Sequence, residues 1–239
     1  MTEISPWIIK NFFNESDLKL FKDYRDRLFK EKKYILLKDL TREKIEQSMN
    51  DWIVDTYLGR IQCSLASGEM PQEMVDIAMR VAKTINPNAE FRYVSYVRYS
   101  NEFGNPQLGP HLDPPTKEDF MFDIQIESNV DWPIEAEENG VIKKHTLKDN
   151  ECLVLDITRQ THWRTPQKFN DGEFLDMLFF SFVDNSLDEP TLEWQTDVGL
   201  KFMDDYNVEL YKIYPQESFN PDQTTEMVKK NIEKQGQVR

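Results

Sequence analysis

The chain has 239 residues, 39% of them hydrophobic and 12% aromatic, which suits a packed globular core and excludes a disordered chain. A formal charge of −14 repels nucleic-acid phosphate and anionic membrane surfaces at long range, so no nucleic acid and no membrane is expected as a partner. Cys63 and Cys152 make no disulfide framework, no apolar run reaches the length of a membrane span, and MTEISPWIIKNFF carries no leader pattern; the expectation is a soluble, cytoplasmic protein.

Trp7-Ile8-Ile9 reads as a first strand. Asn14 is placed to cap a helix by accepting a free amide of its first turn. Leu18, Leu20, Phe21, Tyr24 and Leu28 then recur at helical spacing, which predicts a helix over residues 15–31. Residues 33–60 are mixed and give no clear element. Pro71 stands at a plausible first helical position, and Met74, Ile77, Ala78, Val81 and Ala82 predict a second helix that Asn86-Pro87-Asn88 stops.

From Phe91 the period changes to two, and Phe91–Tyr99 reads as a strand. Its two faces, Tyr93, Val97 and Tyr99 against Tyr96 and Arg98, leave open which is inward. A loop rich in glycine and proline spans Ser100–Pro110. Further strands are expected over Met121–Val130, Pro133–Glu137, Val141–Leu147, Cys152–Ile157, His162–Arg164 and Phe174–Val183, with Asn139-Gly140 as a hairpin turn. Short strands in series predict an antiparallel sandwich or barrel, with two preceding helices covering one sheet. The polar tail from Ser186 is expected to be partly helical, over Val198–Tyr211 and Thr225–Lys234, and to serve packing or an interface.

The chain has three histidines. His111 and Asp113 are two apart, so on extended chain they point to one side and can converge on one ion. His162 lies far enough downstream for the chain to cross the sandwich and return. Two imidazoles and one carboxylate form the facial triad that holds iron(II) and leaves positions open for a cosubstrate and dioxygen. A lone His-x-Asp triplet is weak, and a histidine beside Trp163 is by itself an ordinary core residue. It is the combination, in a β-rich segment with Arg164 following, that points to a metal. His145, beside Lys143 and Lys144, reads as part of a solvated strand face, with a fourth, cupin-like ligand as the minor reading.

These strings resemble the iron(II)- and 2-oxoglutarate-dependent oxygenases, in the layout of the prolyl-hydroxylase-like branch. The resemblance runs from Trp7–Asn14 through Tyr96-Val97-Arg98-Tyr99, His111-Leu112-Asp113 and Leu153–Asp156 to His162-Trp163-Arg164 and the strand Met177–Val183. It implies an α+β, mainly β fold: a double-stranded β-helix, or cupin-like jelly roll, with N-terminal helices on one sheet. It divides the chain into an oxygenase domain over residues 1–185 and an extension over residues 186–239. Within that domain, residues 1–90 are expected to be helical and residues 91–185 to form the β-sandwich core. The resemblance further implies Fe(II) on His111, Asp113 and His162, 2-oxoglutarate as cosubstrate, dioxygen as oxidant, and hydroxylation as the reaction. Tyr99 matches a position from which a tyrosine reaches the cosubstrate, and is equally readable as core.

One departure stands out. The resemblance calls for an Arg or Lys about ten residues after the second histidine, where this chain reads Asp171-Gly172-Glu173-Phe174. Arg164, which shares the face of His162 on an extended strand, is the first candidate for the distal carboxylate, with Lys168 second and Arg159 also near. A structural ion pair is the plain alternative for Arg164. Two other readings stay open: a cupin-like metalloenzyme that does not use 2-oxoglutarate, and a non-catalytic jelly-roll binding module. The primary substrate, a small molecule or a protein side chain, is not legible.

Overall fold

The computed structural model describes residues 7–39, 50–56, 58–66, 68–111, 118–138, 141–157 and 160–184. Asp113, the Asn139-Gly140 turn, Arg159 and the expected tail helices lie outside them. In chain order the elements are β1 (Trp7–Ile9), α1 (Glu15–Glu31), β2 (Tyr34–Leu36), β3 (Trp52–Asp55), β4 (Arg60–Ala66), α2 (Gln72–Ile85) and β5 (Ala89–Ser100). They continue with β6 (Leu108–His111), β7 (Glu118–Ser128), β8 (Ile134–Glu138), β9 (Val141–His145), β10 (Glu151–Leu155), β11 (His162–Arg164) and β12 (Phe174–Asp184).

Helix α1 starts where the sequence places its cap: Asn14 accepts from the amide of Asp17 at 2.8 Å. In α2, Pro71 is the cap rather than the first helical residue. Residues 7–90 are not only helical; they also supply β1 to β4, and β2 to β4 occupy the stretch that gives no clear sequence signal. Period-two alternation is weak there, because β2 and β3 are short and pair in parallel at the sheet's edge.

Two sheets result. The larger runs β1-β10-β7-β12-β5-β4-β3-β2, and the smaller β6-β11-β8-β9. From β5 to β12 the chain passes between the two sheets repeatedly, which is the jelly-roll winding. The central strands of the large sheet serve two interiors. Phe120, Phe122, Ile124 and Ile126 of β7 and Leu178, Phe180 and Phe182 of β12 face α1 and α2, meeting Phe21, Leu28, Met74 and Ala78 in one core. Val97 and Tyr99 of β5, Met121 of β7, and Leu175 and Met177 of β12 face the small sheet and form a second core with Trp132 and Ile134. The open question about β5 is thereby answered: Val97 and Tyr99 point between the sheets, and Tyr96 toward the helices.

The loop leading into β6 is locked against the turn before β4. Gln107 donates to Leu58 O and Ser100 to Gly59 O. Gly59 has φ +60, and a Cβ there would stand 2.5 Å from Asn105 C, so only glycine lets the two segments approach.

On the helix side lies a buried ion network. Arg25 of α1 reaches Asp176 of β12 at 2.6 Å and Glu127 at 2.7 Å. Arg98 grips both oxygens of Asp176 at 2.6 Å and lies over the rings of Phe29 and Phe174. Burial pushes the Asp176 carboxyl up, and the two guanidinium groups pull against it. Removing the carboxylate leaves two cations confronting each other. Asp176→Ala is expected to cost about 3–5 kcal/mol in urea unfolding, without touching the interior between the sheets.

His145 ends a strand face whose other members, Val141 and Lys143, are exposed, and is itself half-buried. It is paired with Ile134, a residue of the second core, and its Nε2 is buried with no hydrogen bond among the described residues. Burial lowers its affinity for protons from the ordinary value of 6.5, with Glu138 opposing and Lys143 assisting. Below pH about 6.5 the unfolded chain takes up a proton here that the folded chain resists, so stability falls as the pH drops. His145→Gln should flatten that acid limb in thermal melts between pH 7.5 and about 5.

Candidate metal and cosubstrate site

His162 opens β11 and is 3% exposed. Its Nδ1 lies 2.9 Å from the carbonyl of Gln160, so Nδ1 carries the proton and Nε2 is the lone-pair nitrogen of the ring. A backbone carbonyl holding one imidazole nitrogen is the arrangement that orients a metal-ligating histidine. On one side His162 is the direct cross-strand partner of His111, on the other of Ala136. Paired positions stand with Cβ atoms about 4.5–5.5 Å apart. Ala136 offers only a methyl group beside His162. Asp113, two residues beyond His111, lies outside the described residues, and among those residues no cluster of three metal-binding side chains occurs.

Past a bulge in the β6–β11 pairing, Arg164 enters the second core. It is 2% exposed and forms no salt bridge among the described residues. Its Nη1 donates to the carbonyl of Trp132, its guanidinium lies 5.1 Å from the centre of the Trp132 ring, and its Nη2 is 3.8 Å from Met177 Sδ. Burial pulls this guanidinium below its usual proton affinity, while nearby Tyr99 and Asp123 act in the opposite sense. Trp132 is itself fixed, donating from Nε1 to Thr165 O at 2.7 Å.

Tyr99 packs edge-on against the other side of this assembly, 4.9 Å from the Trp132 ring. Arg164, Trp132 and Tyr99 therefore form one continuous cluster between the sheets. Lys168 is not brought to it; that residue is exposed on the loop after β11. On the inner face of β12 stand Leu175, Met177, Phe179 and Ser181, so the strand offers no base there.

Three polar residues of this interior escape sequence reasoning. Arg60, directly paired with Tyr99, donates from Nη1 to the tyrosine hydroxyl at 3.3 Å. Asp123 is 3% exposed and paired with Leu153 and Phe179, which puts it on the inner face near Arg164. Ser181 Oγ is buried and makes no hydrogen bond among the described residues. For Arg60 and Asp123 the only sequence signal is the alternation Arg60-Ile61-Gln62-Cys63-Ser64-Leu65 and Phe122-Asp123-Ile124-Gln125-Ile126, where every second residue is polar.

The residues present fit a metal and an anionic cosubstrate. A buried guanidinium without a carboxylate partner among the described residues and an unsatisfied buried hydroxyl suit a polar anion, and neutral imidazole suits a first-row metal.

No protein-family model matches the sequence, and no curated protein does. Solved structures do match. A Pseudomonas putida prolyl-4-hydroxylase is similar with a TM-score of 0.52 at 13% identity, over 76% of this chain and 93% of that one. A Trichoplax adhaerens prolyl hydroxylase in complex with a hypoxia inducible factor peptide fragment has a TM-score of 0.51 at 12% identity, over 76% of this chain and 84% of that one. HygX from Streptomyces hygroscopicus, with nickel and 2-oxoglutarate bound, has a TM-score of 0.52 at 8% identity, over 77% of this chain and 85% of that one. The chain has the fold of the 2-oxoglutarate- and iron(II)-dependent oxygenases.

Proposed function

We propose that this protein is an iron(II)- and 2-oxoglutarate-dependent dioxygenase acting as a hydroxylase. The observation that carries the reading is the direct pairing of His111 with His162, with Arg164 two residues on and buried in the same interior. His111, Asp113 and His162 would hold the metal, and Arg164 with Tyr99 the distal carboxylate of the cosubstrate. Once bound, these partners supply oxidative decarboxylation to succinate and carbon dioxide, coupled to insertion of one oxygen atom of dioxygen into the substrate.

The chain's own residues do the rest. Gln160 O accepts from Nδ1 and fixes the orientation of the His162 ring, which places the ligating role on Nε2. Arg164 has few competing anions in a low-dielectric interior, which strengthens its grip on a carboxylate. Trp132, Tyr99 and Phe169 close that end of the sandwich in edge-on contacts and exclude water from it. Asp113 as a third ligand favours hydroxylation over halogenation, which needs its place for a halide. The prolyl hydroxylase with a bound peptide supports a side chain of a peptide as one substrate class; a small molecule is the other. A cytoplasmic setting suits the buried thiols of Cys63 and Cys152.

A second reading has one observation in its favour. The inner face of β12 offers no base, so a metalloenzyme that takes no 2-oxoglutarate fits the same ligands. Anaerobic titration separates the two. Iron(II) followed by 2-oxoglutarate should raise a weak absorption band in the green only after the second addition. Asp113→Ala should lose both the band and turnover. Tight iron binding with no band on adding 2-oxoglutarate would make the second reading the better one.

A further inference from the structure

The register of the small sheet shows which way its inner face opens. His162 is paired with Ala136, and Ala136 with Lys143, so these three side chains share one face. By alternation Ile134 and Glu138 of β8 lie on it too, and with Glu138 its partner Val141 of β9. Strands β8 and β11 run antiparallel, so Ile134 lies toward Arg164 and Glu138 on the other side of His162. Exposure rises in that direction. Ile134 and Ala136 are buried, the Glu138 side chain is 16% exposed, and Val141 is 57% exposed. With a cosubstrate held between His162 and Arg164, the side toward Glu138 is the one left for a substrate.

Diagonal neighbours on one sheet face stand about 7–8 Å apart, so Glu138 is within a side chain's reach of a group set beside His162. Lys143 Nζ lies 2.5 Å from Glu138 Oε2. The two partners are unequal: the carboxylate is mostly covered, while the lysine is half exposed on a long flexible stem. An ion pair this open to water is weak, so the ammonium of Lys143 can leave for solvent and another cation can take its place. The neighbouring pair, Lys144 with Glu135 at 3.5 Å, lies on the opposite face of the same two strands and away from His162. The net charge of −14 favours the approach of a cation.

We propose that Glu138 is a specificity-determining residue that receives an alkylammonium group of the substrate, with Lys143 as the internal cation that this group displaces. This rests on the 2-oxoglutarate reading above and gives it a substrate class: a basic peptide side chain or a small amine.

The test is anaerobic calorimetry on the full chain loaded with iron(II) and 2-oxoglutarate, using N-acetyl-lysine methylamide and its uncharged counterpart N-acetyl-norleucine methylamide. The lysine probe is expected to bind at least about tenfold tighter, the scale of one charged hydrogen-bonding partner. Glu138→Gln should bring the two probes together, and Lys143→Met should widen the gap by removing the competing ammonium. Because the two changes move the preference in opposite directions, a folding defect cannot imitate the pattern. Glu135→Gln, on the other face of β8, should keep the preference. Pentylamine separates the sources: binding equal to that of the lysine probe assigns a small amine, and much weaker binding a peptide side chain. Equal binding of the lysine and norleucine probes by the unsubstituted chain, or a preference that survives Glu138→Gln, overturns the role of Glu138 and leaves the function reading standing. An unsubstituted chain that binds iron(II) but gives no band in the green with 2-oxoglutarate overturns the function reading, and this inference with it.

Discussion

Alternation along the strands of the large sheet is the constraint from which the site follows. Successive residues of β5, β7 and β12 must go to opposite faces, so each strand writes two interiors at once. The face toward α1 and α2 is filled by stacked and edge-on rings such as Phe120, Phe122, Phe180 and Phe182. The face toward the small sheet keeps apolar residues but interleaves Arg60, Gln62, Ser95, Asp123 and Ser181. Gln62 and Ser95 on that inner face offset part of their burial cost by bonding each other and Ser64.

The molecule contains two buried arginine systems, and their difference separates structure from site. Beneath α1, Arg25 and Arg98 share Asp176, whose side chain is 2% exposed, with Glu127 at the rim. There the counter-charge is built into the chain, and rings above and below Arg98 close the arrangement. Between the sheets, Arg164 is bound to a carbonyl, a ring face and a thioether, groups that hold a guanidinium in place without neutralising it. A cation positioned but not neutralised by the described residues is suited to an anion that comes and goes.

Much of this is readable from the sequence, for local reasons. Asn14 and the helical spacing of Phe21, Tyr24 and Leu28 fix α1, because caps and apolar stripes act within a few residues. The long β12 is legible because Phe174, Phe179, Phe180 and Phe182 cluster there, and Trp163 marks the short strand His162–Arg164. What escapes is whatever depends on pairing across the sheet. Both faces of β5 are rich in aromatics, so only its partners on β4 and β12 settle which one is inward. Arg60 follows a glycine in a mixed stretch and looks like a surface charge until Tyr99 is placed beside it. Lys168 is six residues from His162, against two for Arg164, and because the chain leaves the strand after Arg164 the lysine goes to solvent.

For the proposed cosubstrate, a dianion, the net charge of −14 raises the question of its approach. At physiological salt, interactions between exposed charges fade beyond about 8 Å, so the overall acidity matters less than the charges along the approach. His162 is paired with Ala136, and Ala136 in turn with Lys143 of the outer strand β9. Lys143, half exposed, is 2.5 Å from Glu138, while Lys144 on the opposite face of the strand meets Glu135 at 3.5 Å. These lysines are balanced by acids already present, so the edge of the small sheet offers little net attraction. On the proposed reading, selection for the anion occurs inside, where the dielectric is low and a single guanidinium is worth far more than a surface lysine. In the proposed 2-oxoglutarate reading, the discriminating charge is then the buried Arg164 rather than any lysine on the surface.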